Sequence, residues 1–148
     1  MLESKRRPHL SSVLINLLLG AAQREPLNKA TRIIPVPLHD KRAQERGFNQ
    51  ASIIAEALSK SLKLPLDETS LTRTRGSEKY RAGLDPKGRR DTVAGAFRVR
   101  YPRLIGEESI LLVDDVFTTG ATVNACAEAL IKANARAVFV LTIARGKA

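Results

Sequence analysis

Two adjacent carboxylates, Asp114 and Asp115, stand between a short apolar run and a turn rich in hydroxyl groups. Paired carboxylate oxygens accept hydrogen bonds from vicinal hydroxyls, and they also hold hydrated divalent cations. The turn, residues 118–122, has the sequence T-T-G-A-T and leads into a helical pattern. A helix that starts from such a turn directs backbone N–H groups and its positive end at one point, where a phosphate can bind. A phosphate site beside a diol site indicates ribose 5-phosphate chemistry.

The elements that must position these groups are a strand before them and a helix after them. Residues 110–113, I-L-L-V, are typical of a central parallel strand that is covered on both faces. Residues 123–130 follow with apolar side chains at helical spacing. The turn is not an ATPase phosphate loop, because no lysine follows its single glycine. The alternative interpretation is an ordinary helix start with threonine caps and two solvated aspartates.

Strands and helices alternate along the rest of the chain, which predicts a parallel sheet flanked by helices, an α/β fold. We expect strands at 32–37, 64–71, 96–99 and 137–143, the last a continuous buried run. A helix is expected from residue 47 to about 62, and a turn over 101–108. Apolar residues in 1–20 recur at helical spacing and predict an amphipathic helix rather than a signal peptide.

Length and composition favour one domain of 148 residues, with an N-terminal helix and linker over 1–30 and a core over 31–148. No apolar run approaches the length of a membrane span. The single cysteine, Cys126, can form neither a disulfide framework nor a zinc site within this sequence. We therefore expect a cytoplasmic protein that does not insert in membranes.

The segment 113–122, V-D-D-V-F-T-T-G-A-T, resembles the phosphoribosyl pyrophosphate motif of type I phosphoribosyltransferases. Three further segments are similar to the ComF family of competence proteins, which are phosphoribosyltransferase-like: I-P-V-P-L-H at 34–39, E-R-G-F-N-Q-A at 45–51 and V-A-G-A-F at 93–97. The resemblance covers residues 31–145. ComF chains commonly carry a zinc ribbon before this region, and the present sequence has none.

The resemblance implies a type I phosphoribosyltransferase fold that binds phosphoribosyl pyrophosphate with Mg²⁺ and passes its phosphoribosyl group to a nitrogen nucleophile, as in nucleoside metabolism. Asp114 and Asp115 would be the catalytic residues and would hold the metal. The implied substrate-binding residues are Val113, Val116, Phe117, Thr118, Thr119, Gly120, Ala121, Thr122, Pro37, His39, Lys41, Arg42 and Arg46. His39 has an alternative as a loop histidine bonded to backbone, and no acid–base role is assigned to it. The resemblance also implies a flexible hood loop, which matches residues 73–91.

The chain carries a net charge of +10, and residues 73–103 hold ten basic side chains against three acidic ones. Such an excess favours polyanionic partners, either a diphosphate or a nucleic-acid backbone. The rival function, which the resemblance to competence proteins implies, is a non-catalytic accessory protein of DNA uptake and competence that would sense a ligand or bind nucleic acid. The sequence leaves a homodimer open.

Overall fold

The computed structural model of the chain describes residues 11–38, 49–74, 95–117 and 120–145. Most of the predicted hood, residues 75–91, lies outside the described residues. Residues 1–10, which belong to the predicted first helix, also lie outside them. The elements in chain order are α1 (Ser12–Ala22), a 3₁₀ turn (Leu27–Lys29), β1 (Arg32–Pro35), α2 (Gln50–Leu62), β2 (Leu71–Arg73), β3 (Phe97–Val99), α3 (Pro102–Ile105), β4 (Ser109–Phe117), α4 (Ala121–Lys132) and β5 (Ala137–Arg145).

The predicted parallel sheet is confirmed, with strand order β1-β4-β5 and β4 in the middle. The edge strand expected over 64–71 is confirmed in part. Leu66 bridges to Ile33 in parallel, and the Ile33 N–H donates to the Pro65 carbonyl at 2.9 Å. Residues from Leu71 onward instead belong to a separate antiparallel pair, β2 with β3.

Strand β4 is central because its first half is apolar on both faces. Residues 110–113 are all 0% exposed, as the continuous run predicted. Ile110 and Leu112 pack with α4 and the β2–β3 pair, whereas Leu111 and Val113 pack with α1 and α2. The alternation follows from the two-residue period of a strand. One apolar run thus joins both halves of the core and fixes where Asp114 and Asp115 emerge.

Helices α1 and α2 start where short polar side chains bond their first N–H groups. Ser11 Oγ accepts from the Leu14 N–H at 3.0 Å at the start of α1, and Asn49 Oδ1 accepts from the Ala51 N–H at 3.1 Å at the start of α2. The helix expected to run to about residue 62 is confirmed, and it buries Ile54 and Leu58, which are each 1% exposed. This helix covers β1 and β4 from one side.

Three expectations need correction. The first helix turns only part of its apolar surface inward, since Val13 and Leu17 are each 68% exposed, and periodicity alone did not say which stripe would face the core. Strand β5 is not buried throughout, because it forms an edge of the described sheet and leaves Val140 37% exposed. The turn expected over 101–108 contains the short helix α3, which starts at Pro102 and buries Ile105.

An ionic cluster joins the amino-terminal ends of β1 and β4. Arg32 lies 3.4 Å from Asp67 and 3.5 Å from Glu108. Burial alone would raise the pKa of Asp67, but hydrogen bonds from Ser70 and Thr69 and the charge of Arg32 outweigh it and lower that pKa. The carboxylate is therefore satisfied, and the cluster holds the sheet at the end opposite the carboxylate pair. Within the described ranges, no helix combines the length and the hydropathy that crossing a bilayer requires.

Candidate functional site

The two candidate carboxylates lie within β4, which runs on past the apolar run to Phe117. Asp114 pairs in register with Thr142 of β5, and both aspartates are partly buried. The Asp115 N–H donates to Asp114 Oδ1 at 2.9 Å, and the two side chains also interact through a hydrogen bond. The structure therefore brings the predicted pair together at the carboxyl end of the central strand, where parallel sheets bind ligands.

The electrostatics of the pair centre on Asp114. Burial raises the pKa of Asp114 to about 6; the Asp115 N–H opposes this rise, the neighbouring Asp115 carboxyl adds to it, and the charge of Arg73 lowers it. Two carboxylates in one partly desolvated place repel each other when both are ionised. A bound cation, or the hydroxyl hydrogens of a diol, would relieve this repulsion. The pair has the properties of a site that is completed by a ligand.

The junction between β4 and α4 contains a glycine that the backbone conformation requires. Gly120 is buried and has φ of 84° and ψ of −3°. This is a left-handed conformation, which residues with a Cβ adopt at a cost in free energy. Its carbonyl accepts the Asn124 N–H at 2.8 Å, so Gly120 caps α4 and turns the chain into the helix. Ala121 and Thr122 form the first turn of α4, whose amides face the junction. Thr118 and Thr119 lie outside the described residues.

The carboxyl end of β1 lies beside that of β4. Pro35 pairs with Val113, and the Val36 N–H donates to the Val113 carbonyl at 2.8 Å. Pro37 follows directly, and it is the one predicted substrate-binding residue after β1 that the structure describes. The others, His39, Lys41, Arg42 and Arg46, fall outside the described residues.

One residue at this edge was missed as a site residue, because the sequence placed it only within a basic run. Arg73 ends β2, and its Nε donates to the Pro37 carbonyl at 3.2 Å. The guanidinium also lies 4.7 Å from the centre of the Phe97 ring. Its charge acts on Asp114, so the side chain reaches toward the acidic pair. In the sequence it was marked only as the first residue of the basic stretch 73–103.

Two further observations limit the chemistry that the described residues can perform. Cys126 lies on α4 and is 0% exposed; burial raises its thiol pKa above the usual range, which disfavours the reactive thiolate. In the part of the chain that is described, no three His, Cys, Asp or Glu side chains group closely enough to hold a metal by themselves. A cation at Asp114 and Asp115 would therefore take its remaining oxygen ligands from water and from a bound phosphate, as Mg²⁺ commonly does.

Comparison with known proteins finds relatives among DNA utilization and competence proteins. It is 35% identical over 148 residues to the DNA utilization protein YhgH of Escherichia coli O157:H7, and 32% identical over 137 residues to competence protein F of Haemophilus influenzae. These alignments cover 97% and 92% of this chain but only 64% and 59% of the relatives, so the chain spans less than two thirds of their length. No protein-family model matches the chain.

Solved structures show the same fold at lower identity. A glutamine phosphoribosylpyrophosphate amidotransferase from B. subtilis is similar with a TM-score of 0.56 at 20% identity, over 89% of this chain and 26% of that one. Orotate phosphoribosyltransferase from Aeropyrum pernix is similar with a TM-score of 0.52 at 16% identity, over 90% and 70%. Similarity to the competence proteins runs along nearly all of the chain, and the fold is that of type I phosphoribosyltransferases, which together are consistent with a ComF-family protein.

Proposed function

We propose that this chain binds phosphoribosyl pyrophosphate with Mg²⁺ at the carboxyl ends of β1 and β4, and that it transfers the phosphoribosyl group to a nitrogen nucleophile. The observation that carries the proposal is the adjacent, partly buried pair Asp114 and Asp115, followed by the positive-φ Gly120 at the start of α4. The pair suits the two ribose hydroxyls, and the helix start suits the 5-phosphate.

The chain's own groups would act mainly by position and charge. Carboxylates that hold the ribose hydroxyls fix the sugar ring and stabilise positive charge that develops at its anomeric carbon. The bond from that carbon to the pyrophosphate oxygen breaks, and the nitrogen nucleophile forms the new bond to carbon and then loses its proton. Mg²⁺, when bound, would supply positive charge to the departing pyrophosphate. Asp114 and Asp115 are the described residues whose oxygens fit that ion.

Ligand-dependent thermal unfolding tests this proposal. A ligand that binds the native state alone stabilises it by RT ln(1 + [L]/Kd), about 2.7 kcal/mol at one hundred times Kd. We expect phosphoribosyl pyrophosphate with Mg²⁺ to raise the Tm most, because it can contact both strand ends. Ribose 5-phosphate should raise the Tm less. Equal shifts for all anions, including sulfate, would indicate charge alone and would contradict a shaped site.

A second candidate function, nucleic-acid binding, is favoured by an exposed basic surface. The β3–α3 segment exposes Arg98, Arg100, Tyr101 and Arg103, and the Arg100 guanidinium lies 5.4 Å from the Tyr101 ring centre. Basic groups that follow a phosphate backbone beside an aromatic ring that can stack on a base suit single-stranded DNA. The names of the relatives, which refer to DNA utilization and competence, are consistent with such a partner.

If this second function holds, single-stranded DNA should bind with an affinity that falls steeply with salt, with a log–log slope of about −0.7 per phosphate neutralised. Reversing two charges with Arg98→Glu and Arg100→Glu should weaken binding to every sequence and make that slope shallower. The matched control reverses the exposed Arg24 and Lys29, which lie near α1. Equal losses in both double variants, measured by fluorescence anisotropy, would show that net charge and not this surface is responsible.

A further inference from the structure

Arg73 connects three parts of the molecule that meet at the candidate site. It is the last residue of β2 and pairs in register with Phe97 of β3, so its backbone belongs to the antiparallel pair. Its Nε donates to the carbonyl of Pro37, just past the end of β1. Its charge acts on Asp114 of β4 and on Cys126 of α4. The Arg73 side chain thus links β2 to the ends of β1 and β4.

The contacts of Arg73 require an arginine rather than any cation. A guanidinium is planar, so one face can lie over the Phe97 ring while an N–H in its plane donates to the Pro37 carbonyl. An ammonium group is a compact point charge and cannot make both contacts in this geometry. Arg98, the neighbouring arginine of the same strand pair, is exposed instead and makes no described contact with either strand end.

The Pro37 carbonyl is where Arg73 can influence ligand binding. Val36 is bonded to β4 through the Val113 carbonyl, and its own carbonyl accepts from Asn49 Nδ2 at 3.2 Å. At the next residue, Pro37, the described hydrogen bond to the backbone is the one that Arg73 donates to the carbonyl. The sheet bonds hold β1 to β4 as far as Val36, and Arg73 therefore sets the distance from the next residue, Pro37, to the carboxylates of β4. A ligand that reaches both places depends on that distance, whereas a ligand that occupies one of them does not.

We propose that Arg73 is a positioning residue which fixes the span between the β1 and β4 strand ends, and so selects ligands that carry both a ribose phosphate and a pyrophosphate. This inference rests on the proposed function. Affinity for a ligand held at two places depends on their fixed separation, because each contact then makes the other one intramolecular. The gain in affinity from such linkage is about 100-fold or more, and it is lost when the geometry no longer lets the ligand occupy both places at once.

The test measures three ligands by calorimetry at pH 8, where Asp114 is ionised: phosphoribosyl pyrophosphate, ribose 5-phosphate and inorganic pyrophosphate, each with Mg²⁺. In Arg73→Gln we expect affinity for phosphoribosyl pyrophosphate to fall about tenfold or more, with changes of less than about twofold for the two smaller ligands. Arg73→Lys should show the same pattern, because charge alone does not restore the two contacts. The control Arg24→Gln, at an exposed arginine just after α1, should bind all three ligands as the wild type does.

Each other result contradicts the inference in a distinct way. A matching loss for inorganic pyrophosphate, rescued by Arg73→Lys, would make Arg73 a direct phosphate ligand and not a positioning residue. Equal losses for all three ligands would mean that the substitution only disturbs folding, and unchanged binding would mean that Arg73 has no role. If Arg73→Gln does not fold, Arg73→Lys carries the test alone. Failure of the wild type to bind any of the ligands would overturn the proposed function itself, and the inference with it.

Discussion

Asp115→Asn is expected to weaken binding of phosphoribosyl pyrophosphate by about 1.5–3 kcal/mol, which is roughly 10- to 150-fold in Kd. Asparagine keeps the shape of the side chain and one acceptor oxygen, but it removes the negative charge that strengthens bonds from ribose hydroxyls and from a hydrated cation. Asp114→Asn should weaken binding by a similar amount. The two effects are not expected to add, because the side chains are in contact.

The stability of Asp114→Asn should move in the opposite direction from its binding. The folded-state pKa of Asp114 is raised to about 6 from an ordinary 3.8, so the native state keeps a proton that the unfolded state has lost. Stability therefore falls as pH rises from about 4 to about 6, and the penalty persists above pH 6. Asp114→Asn removes the ionisation, so at pH 7 the variant should be at least as stable as the wild type while it binds ligand less well.

Glu128→Gln is the matched control, since it makes the same change on the exposed face of α4. Calorimetric titration of the three variants with phosphoribosyl pyrophosphate and Mg²⁺ measures the binding, and urea unfolding at pH 7 measures the stability. If Asp114→Asn and Asp115→Asn bind as tightly as Glu128→Gln does, the acidic pair does not hold the ligand. If Asp114→Asn is less stable than the wild type at pH 7, the carboxylate has a structural role that its burial does not account for.

Leu112→Ala is expected to lower the free energy of unfolding by about 2–5 kcal/mol, a large part of the stability of a domain of this size. Leu112 is 0% exposed, lies in the central strand opposite Ile34 of β1, and packs in the cluster that includes Cys126 and Leu130 of α4. Its truncation leaves a cavity between sheet and helix that rigid neighbours cannot close. It also precedes Asp114 by two residues, so the loss should loosen the support of the site.

The control for this change is Leu104→Ala on α3, where the leucine is 45% exposed and its truncation should cost within about 0.5 kcal/mol. Urea unfolding of both variants gives the comparison. Similar losses in the two variants would contradict the arrangement in which β4 is the central strand of the core.

The sequence predicted the parts of the fold that a continuous apolar run or a helical period determines. Residues 110–113 could be assigned to a covered strand because all four are apolar, and α2 could be assigned from the spacing of Ile54 and Leu58. The exposure of Leu17 could not be predicted, because α1 is apolar around most of its circumference and only tertiary contacts decide which side is buried. The partial exposure of Val140 depends on strand order, which no local pattern contains.

The candidate site was predictable to a similar extent. Asp114, Asp115 and Gly120 lie close together in the sequence, so a local motif could identify them together. Arg73 could not be found in this way, because it lies 41 positions before Asp114 in the sequence. Its contact with Pro37 also depends on the pairing of β2 with β3. The basic residues that follow it in the sequence, beginning with Arg75, left it without a distinguishing mark. Long-range pairing, and not residue type, determines its role.

The central claim, that this chain binds phosphoribosyl pyrophosphate at the ends of β1 and β4, is tested most directly by calorimetric titration of the folded wild-type protein. The titration is run with Mg²⁺ and repeated with the metal chelated. We expect one saturable site per chain with a Kd between about 1 μM and 1 mM, the usual range for enzyme substrates, and weaker binding without Mg²⁺. No heat, and no displacement of a phosphate competitor at millimolar ligand, would contradict the claim.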